Sequence, residues 1–297
     1  MSKLEKLKLR KYYFECASIF MNVILRGSIL YAGECYYNLT ENNLRRIERI
    51  EENYMRKVLK TSKSCPITQM YLELGKWPAR FELQKMRCLF LKQILKQDEQ
   101  SQILKFFKLQ LNNPIKGDWV STCLKDLLEL GISDSLEEIK NMKQRKYKNL
   151  IKNRIEKNAL SYLHSKRGSK GQEIEFKSLE MSEYLLPINS KLNIEEKRTM
   201  FAIRNRMFRI PNDFGGKDEK CVCGTIETMS HIYNCESLNE NKSKIKYEEL
   251  YNGNLNYKIE IFRRLETNIE KRLEIKTKKN FPFDLSDPLD IYLSRFG

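Results

Sequence analysis

Three cysteines and one histidine fall within fifteen residues, at Cys221, Cys223, His231 and Cys235, in the spacing C-x-C-x7-H-x3-C. Thiolate and imidazole are the ligands zinc prefers, and three Cys with one His make a closed tetrahedral set. Gly224, directly after the second cysteine, permits the tight turn that brings a chain around an ion. His231 and Cys235 are four residues apart and meet on one helix face. The cluster takes three of eight cysteines and one of two histidines, which sets it apart from incidental cysteines in a hydrophobic knot. We therefore read residues 221–235 as a knuckle for a structural Zn2+, with no open position for a reacting water. The single residue between Cys221 and Cys223 departs from the two-residue spacing usual for a zinc turn. The other histidine, His164, has no second ligand pattern around it and reads as a surface or partly packed imidazole.

Other chemistries lack their residues. There is no Gly-rich phosphate loop and no Gly-x-Ser-x-Gly elbow. Two-metal polymerases present adjacent carboxylates, and the chain has no Asp-Asp pair. Glu138-Ile-Lys140 and Glu274-Ile-Lys276 match half of a nuclease pattern, but the Pro-Asp that would precede them is absent. The paired acids Glu51/Glu52, Glu137/Glu138 and Glu248/Glu249 lie in charge-mixed helical surroundings and read as solvent faces. The expectation is a chain without catalysis of its own.

The elements that must position the cluster are helical. Thr40 caps a helix from Glu41 to about Leu59, with Leu44, Ile47, Ile50, Tyr54 and Val58 on one stripe and Arg45, Arg46, Arg49 and Arg56 elsewhere. The segment from Phe14 to about Tyr31 is evenly apolar and reads as a buried helix, although its β-branched residues leave a strand open. Helices follow over Ala79 to about Leu95, Gln102 to Leu111 and Val120 to Leu130, with a turn at Asn113-Pro114 and Lys116-Gly117. Beyond Tyr184-Leu185 a helix is expected near Ile194 to Met207, and a last one from Tyr257 to Ile275. A Pro-containing end with low order signals closes the chain.

Lys and Arg number 55 against 39 Asp and Glu, a net charge of +16. The excess is uneven. Residues 140–172 hold Lys140, Lys143, Arg145, Lys146, Lys148, Lys152, Arg154, Lys157, Lys166, Arg167 and Lys170 against Glu156 alone, so +10 sits in this stretch. Its apolar residues include Tyr147, Leu150, Ile151, Ile155 and Leu163, the pattern of a basic amphipathic helix that ends near His164. Gly168-Ser169-Lys170-Gly171 reads as a flexible link. Ordinary exposed helices alternate sign, so this face expects a polyanion: RNA or DNA. Arg204 and Arg206, on the helix ahead of the knuckle, are counted with it. Tyr147, Tyr162, Phe208 and Phe214 lie near basic positions and read as core more than as stacking platforms. The longest apolar stretch, Ile19 to Ala32, is broken by Asn22 and Arg26 and falls short of the about 20 residues a membrane span needs. No secretory signal follows Met1, so the sequons at Asn38 and Asn241 read as chance matches. The expectation is no membrane and a reducing, intracellular location, nuclear by the basic stretch 143–154.

Several blocks resemble a known family. Ser28-Ile-Leu-Tyr31-Ala-Gly-Glu34-Cys35-Tyr36, then Leu44-Arg-Arg-Ile-Glu48-Arg-Ile and Tyr54-Met-Arg56, resemble the segment after the polymerase palm in non-LTR (LINE-type) retrotransposon reverse transcriptases. Tyr71-Leu-Glu73-Leu-Gly75-Lys-Trp77-Pro78 is similar to the next block of that thumb. Tyr184-Leu185, Phe201-Ala-Ile-Arg204 and the cluster ending at Cys235 resemble the family's C-terminal zinc knuckle. The resemblance implies a nucleic-acid-binding part of an RNA-directed DNA polymerase that holds template, primer or target, with its palm aspartates before Met1. On it the chain divides into a thumb-like helical bundle (1–135), a basic helical connector (136–172), a helical segment leading to the knuckle (173–220), the CCHC knuckle (221–235) and a Lys/Glu-rich helical tail (236–297). The alternatives are a zinc-containing helical module for an acidic protein partner, or a decayed retroelement product without activity.

Overall fold

The computed structural model describes residues 10–61, 63, 65–132, 135–167, 174–187, 192–205, 220–226, 228–238 and 245–280. The Gly168–Gly171 link, Arg206 to Phe214 and the end expected to be of low order, 281–297, lie outside the described residues. The chain is mainly helical. Two isolated bridges, Leu74 with Met181 and Lys220 with Ile226, are the β-pairing among the described residues.

Local signals place the first long helices where expected. α1 (Tyr13–Phe20) runs through a π turn (Met21–Leu25) into α2 (Arg26–Ile29). α3 (Glu41–Leu59) starts at Thr40, whose hydroxyl accepts from the Asn43 amide at 3.3 Å, and stops where Lys60 turns left-handed at φ 49°. α4 (Ile67–Glu73) and α5 (Ala79–Leu95) follow, each behind a proline that pre-sets the entry. α6 (Gln102–Asn112), α7 (Trp119–Glu129) and α8 (Leu136–Asn141) lead to α9 (Gln144–Ser165), the basic helix. α10 (Ile194–Arg204) carries a capping box, with Asn193 and Glu196 each bonding the other's amide. α11 (Met229–Asn234), α12 (Glu249–Asn252) and α13 (Leu255–Asn280) complete the order.

α9 ties two cores together. Its buried side chains recur every four residues. Tyr147, Ile151 and Ile155 enter one core, with Leu91, Leu104, Val120, Leu127 and Ile139 from α5 to α8. Ala159 and Leu163 enter the other, with buried residues of α1, α3 and α4 and buried residues from Ile174 to Ile269. The start of α9 is pinned: the buried Lys92 ammonium donates to the carbonyls of Ile139 and Met142, and the Tyr147 hydroxyl donates to the Cys88 carbonyl at 3.0 Å. Lys92 thereby supplies donors to carbonyls that the end of α8 leaves without helical partners.

Three sequence readings are corrected here. The first helix is not buried all round. Tyr13, Phe14, Ala17 and Met21 enter the core, whereas Ile19, Phe20, Val23 and Ile24 are exposed, because α1 meets the protein on one side only. Glu51 and Glu52 are not a solvent face. Both are buried, and Glu51 accepts from Arg26 at 2.7 Å and from the Tyr71 hydroxyl at 2.9 Å. An arginine 25 positions away meets the Glu51 charge, a pairing that the local helical pattern does not encode. On the same helix Ile50, placed on the apolar stripe, is exposed.

Candidate metal centre and basic face

The cysteine hairpin is built by its own backbone. Cys221 donates its amide to the Thr225 carbonyl and Gly224 donates to the Cys221 carbonyl, both at 2.8 Å. Gly224 sits at φ +87°, the left-handed region this one-residue-spaced turn requires. The second half is a helix start. The Thr228 hydroxyl accepts from the His231 amide at 3.0 Å, capping α11, and Cys235 closes the same short helix. Met229, Ile232 and Tyr233 bury the opposite face of α11 in the core.

These two pieces bring the four ligand atoms within 4.8 Å of one another. Cys221 Sγ lies 3.7 Å from Cys235 Sγ, and Cys223 Sγ lies 3.2 Å from His231 Nε2. Four ligands at zinc–sulfur and zinc–nitrogen bond lengths of about 2.3 and 2.0 Å would stand about 3.5 to 3.8 Å apart on a tetrahedron. The donor set therefore fits a metal ion, and all four residues named from the sequence take part. Their electrostatics differ. Burial pushes the Cys221 thiol up to about 11, whereas hydrogen bonding from Thr225 brings the more exposed Cys223 down to about 6.

The long C-terminal helix holds the ligand helix in place, a feature invisible to motif reading. Asn268, fully buried on α13, donates to the Ile232 carbonyl at 2.7 Å. Arg264 donates to the Tyr233 carbonyl at 2.8 Å and lies over that tyrosine's ring, 5.1 Å from the centroid. Both serve carbonyls that the end of α11 leaves free. Asn268→Ala is expected to lower stability by about 1–3 kcal/mol through the stranded carbonyl. It should also weaken metal binding by about tenfold through a loosened ligand helix. Competition with a zinc-sensing dye would check this, and unchanged affinity would reject the positioning role.

The basic residues fall into three groups. Lys140, Lys143, Arg145, Lys146, Lys148, Lys152, Arg154, Lys157 and Lys166 are exposed. From Lys143 to Lys157 none of these cations has a carboxylate within 4 Å among the described residues. The acid among them, Glu156, is half-buried and accepts from the Leu179 amide at 3.4 Å. The face crowds the start of α9, whose first turn holds no acid and whose N-cap is Lys143. Cations at a helix N-terminus oppose its dipole, so this placement costs stability and is not explained by the helix itself.

The second group is a correction. Arg204 is 2 % exposed, so its guanidinium is not presented to solvent. Its guanidinium pairs with buried Glu73 at 3.1 Å and donates to the carbonyls of Leu250 and Tyr251, joining α4, α10 and α12. A cation on a helix is exposed only where the fold leaves that face uncovered, and here α12 covers it. Arg167 is half-buried in the same manner, donating to the Ile174 carbonyl at 2.8 Å with Phe176 5.5 Å beneath it. Arg204→Ala is expected to destabilise by about 3–5 kcal/mol, because it strands a buried carboxylate. A denaturant melt of the variant measures this, and a loss below about 1 kcal/mol would show that Glu73 finds water. The third group, Lys170 and Arg206, lies outside the described residues.

The aromatic residues follow the core reading where they are described. Tyr147 is fully buried, and Tyr162 packs edge-on to Phe81 at 5.5 Å. Phe208 and Phe214 lie outside the described residues. His164 is half-buried against the Phe176 carbonyl at 3.2 Å. Among the described residues no helix is long and apolar enough to cross a membrane. No protein-family model matches this chain, and no curated protein or solved structure matches it.

Proposed function

We propose that this protein binds a nucleic-acid backbone along α9, with a zinc knuckle organising the helices that follow. The observation that carries the reading is the exposed, unpaired cationic face of α9 from Lys143 to Lys157, mounted on a stripe buried in two cores. Those fifteen positions rise about 21 Å, a length over which a duplex presents about twelve phosphates. A rigid helix can meet about five of them. Contact of this kind reads charge and shape, not base edges, and suits an RNA or an A-like RNA–DNA hybrid as well as target DNA. The resemblance to non-LTR reverse transcriptases supports the same role: a holder of template and primer whose copying acids lie elsewhere.

The metal is zinc on this reading. A sulfur-rich tetrahedral set of three thiolates and one imidazole favours it, and all four positions are protein ligands. Zinc would supply a cross-link between the cysteine hairpin and α11, which Met229, Ile232 and Tyr233 carry into the core.

Fluorescence titration of a labelled RNA, an RNA–DNA hybrid and a DNA duplex, from 50 to 200 mM salt, tests the proposal. With about five phosphates neutralised, affinity should fall about 500-fold over that range for any sequence. Salt-independent binding, or retention of an acidic protein partner after nuclease treatment with no affinity for the three probes, would replace it with the protein-module reading.

A further inference from the structure

A polar cavity of about 300 Å³ opens between the π turn and the start of α5. Its volume is at the lower end for small-ligand sites. Asn22, Arg26, Lys76, Trp77, Glu82 and Lys85 line it. The cavity is shaped by two unusual pieces of backbone. The π turn Met21–Leu25 places Asn22 at the mouth, and such turns recur at functional sites. Gly75 turns at φ +61°, where a Cβ would stand 2.4 Å from the Glu180–Met181 peptide, so the chain before Lys76 has one available path.

The charges do not balance. Arg26 is held by Glu51 at 2.7 Å and leans on Glu82 at 3.7 Å. Lys85 pairs with Glu82 and lies over the Trp77 ring, 5.4 Å from its centroid. Glu82 also accepts from the Trp77 indole at 2.9 Å. Two cations thus share two carboxylates, and Lys76 is left over. Its ammonium makes no ion pair or hydrogen bond among the described residues. Lys76 also lines a small, mostly apolar crevice with Phe14, Ala17, Ser18, Met21 and Tyr54, which holds no carboxylate. Burial, reinforced by Arg26, pulls that ammonium down to about 8. Glu82 and Glu51 attract it only from beyond contact and are already paired with Arg26 and Lys85. The half-buried ammonium therefore has no counter-charge in contact, which is costly, and an entering anion would offset that cost.

We propose that this cavity is a phosphate site, in which Lys76 is the cation left free for the ligand, with Lys85 and the Asn22 amide at its edges. The residues come from α1 to α5, so the proposal does not rest on the α9 reading. A phosphate group is favoured over a carboxylate because donor-bearing side chains of three different elements line one polar space, and a tetrahedral oxyanion offers more acceptor positions than a carboxylate.

Isothermal titration of the full chain with inorganic phosphate, at fixed ionic strength, tests the site. One saturable site per chain is expected. Lys76→Gln should bind about tenfold more weakly, the loss of one charge-assisted hydrogen bond, while Lys76→Arg and the α9 variant Lys152→Glu bind as the parent does. A 5′-phosphorylated against a 5′-hydroxyl oligonucleotide then separates the sources. Preference for the phosphorylated end assigns the site to a nucleic-acid terminus, and equal binding of the two alongside retained phosphate affinity assigns it to a free phosphate compound. Absence of saturable phosphate binding, or an unchanged affinity in a Lys76→Gln variant with parental melting, would overturn the proposal.

Discussion

If the Cys3His cluster holds zinc as proposed, chelating it is expected to unfold the C-terminal half of this protein, the largest stability change we foresee. Structural zinc contributes about 10–16 kcal/mol in small knuckles at neutral pH, as much as the whole stability of an ordinary domain. Here the knuckle is not an appendage. Met229, Ile232 and Tyr233 share a core with Tyr247, Leu250, Phe262 and Leu265. Without the ion, Cys221 and Cys235 would stay buried with no partner for a thiolate, and α11 has only six residues to hold itself. The purified chain should carry one zinc, and Cys235→Ser should carry none. In both Cys235→Ser and the chelated parent, hydrogen exchange should accelerate over α11, α12 and the described start of α13. Over α5 to α8 and the first half of α9, whose core is separate, protection should persist. Affinity should fall with acidification, since protons compete for the ligands. The sign is fixed by Cys221: its thiol, pushed up to about 11 by burial, must lose a proton to bind, so each step down in pH below that value opposes binding. A chain with no stoichiometric metal and an unaltered melt after chelation would remove the knuckle from the account.

Reversing four charges on α9 should abolish most nucleic-acid affinity while leaving the fold intact. Lys146, Lys148, Lys152 and Arg154 are exposed and bound to no carboxylate among the described residues, so Glu at each breaks no internal contact. Reversal at Lys146 also puts an acid in the first turn of α9, where it is favourable. Losing about four phosphate contacts should lower the slope of log affinity against log salt by about 3.6. At 100 mM salt the affinity should drop by at least about 10³-fold, equally for RNA, hybrid and DNA. The melting temperature should hold or rise. Ile151→Asp, one residue away on the same helix, should do the reverse, since Ile151 is fully buried and an unpaired charge there unfolds the core. If the four-fold variant keeps parental affinity, the basic face is only a solvated surface.

How much of this could be read from the chain depends on how local each interaction is. The Thr40 cap and the span of α3 are legible because the cap and the donor it satisfies are three residues apart. The Cys3His cluster is legible for the same reason: a hairpin and one helical turn bring together four side chains drawn from fifteen consecutive positions. The apolar half of α1 is not legible, because an evenly apolar run has no periodicity to say which face is covered. Nor are Glu51, Arg204 and Lys76. Charged residues on helices and loops carry no local mark of burial, and their partners lie 25, 131 or more positions away, or are missing altogether.

The sequence by itself determined a helical protein with a Cys3His cluster able to hold a metal ion and one strongly basic helix, since composition, spacing and periodicity act over one or two turns. The tertiary structure decided which cations are free. Arg26, Arg87, Lys92, Lys197, Arg198 and Arg204 are all buried, holding carboxylates or backbone carbonyls. Burying a charge is affordable only where packing delivers a partner, and packing is a property of elements far apart in the chain. The charge left exposed among the described residues is therefore smaller than the composition suggests, and its densest run without ion pairs lies on the outer face of α9.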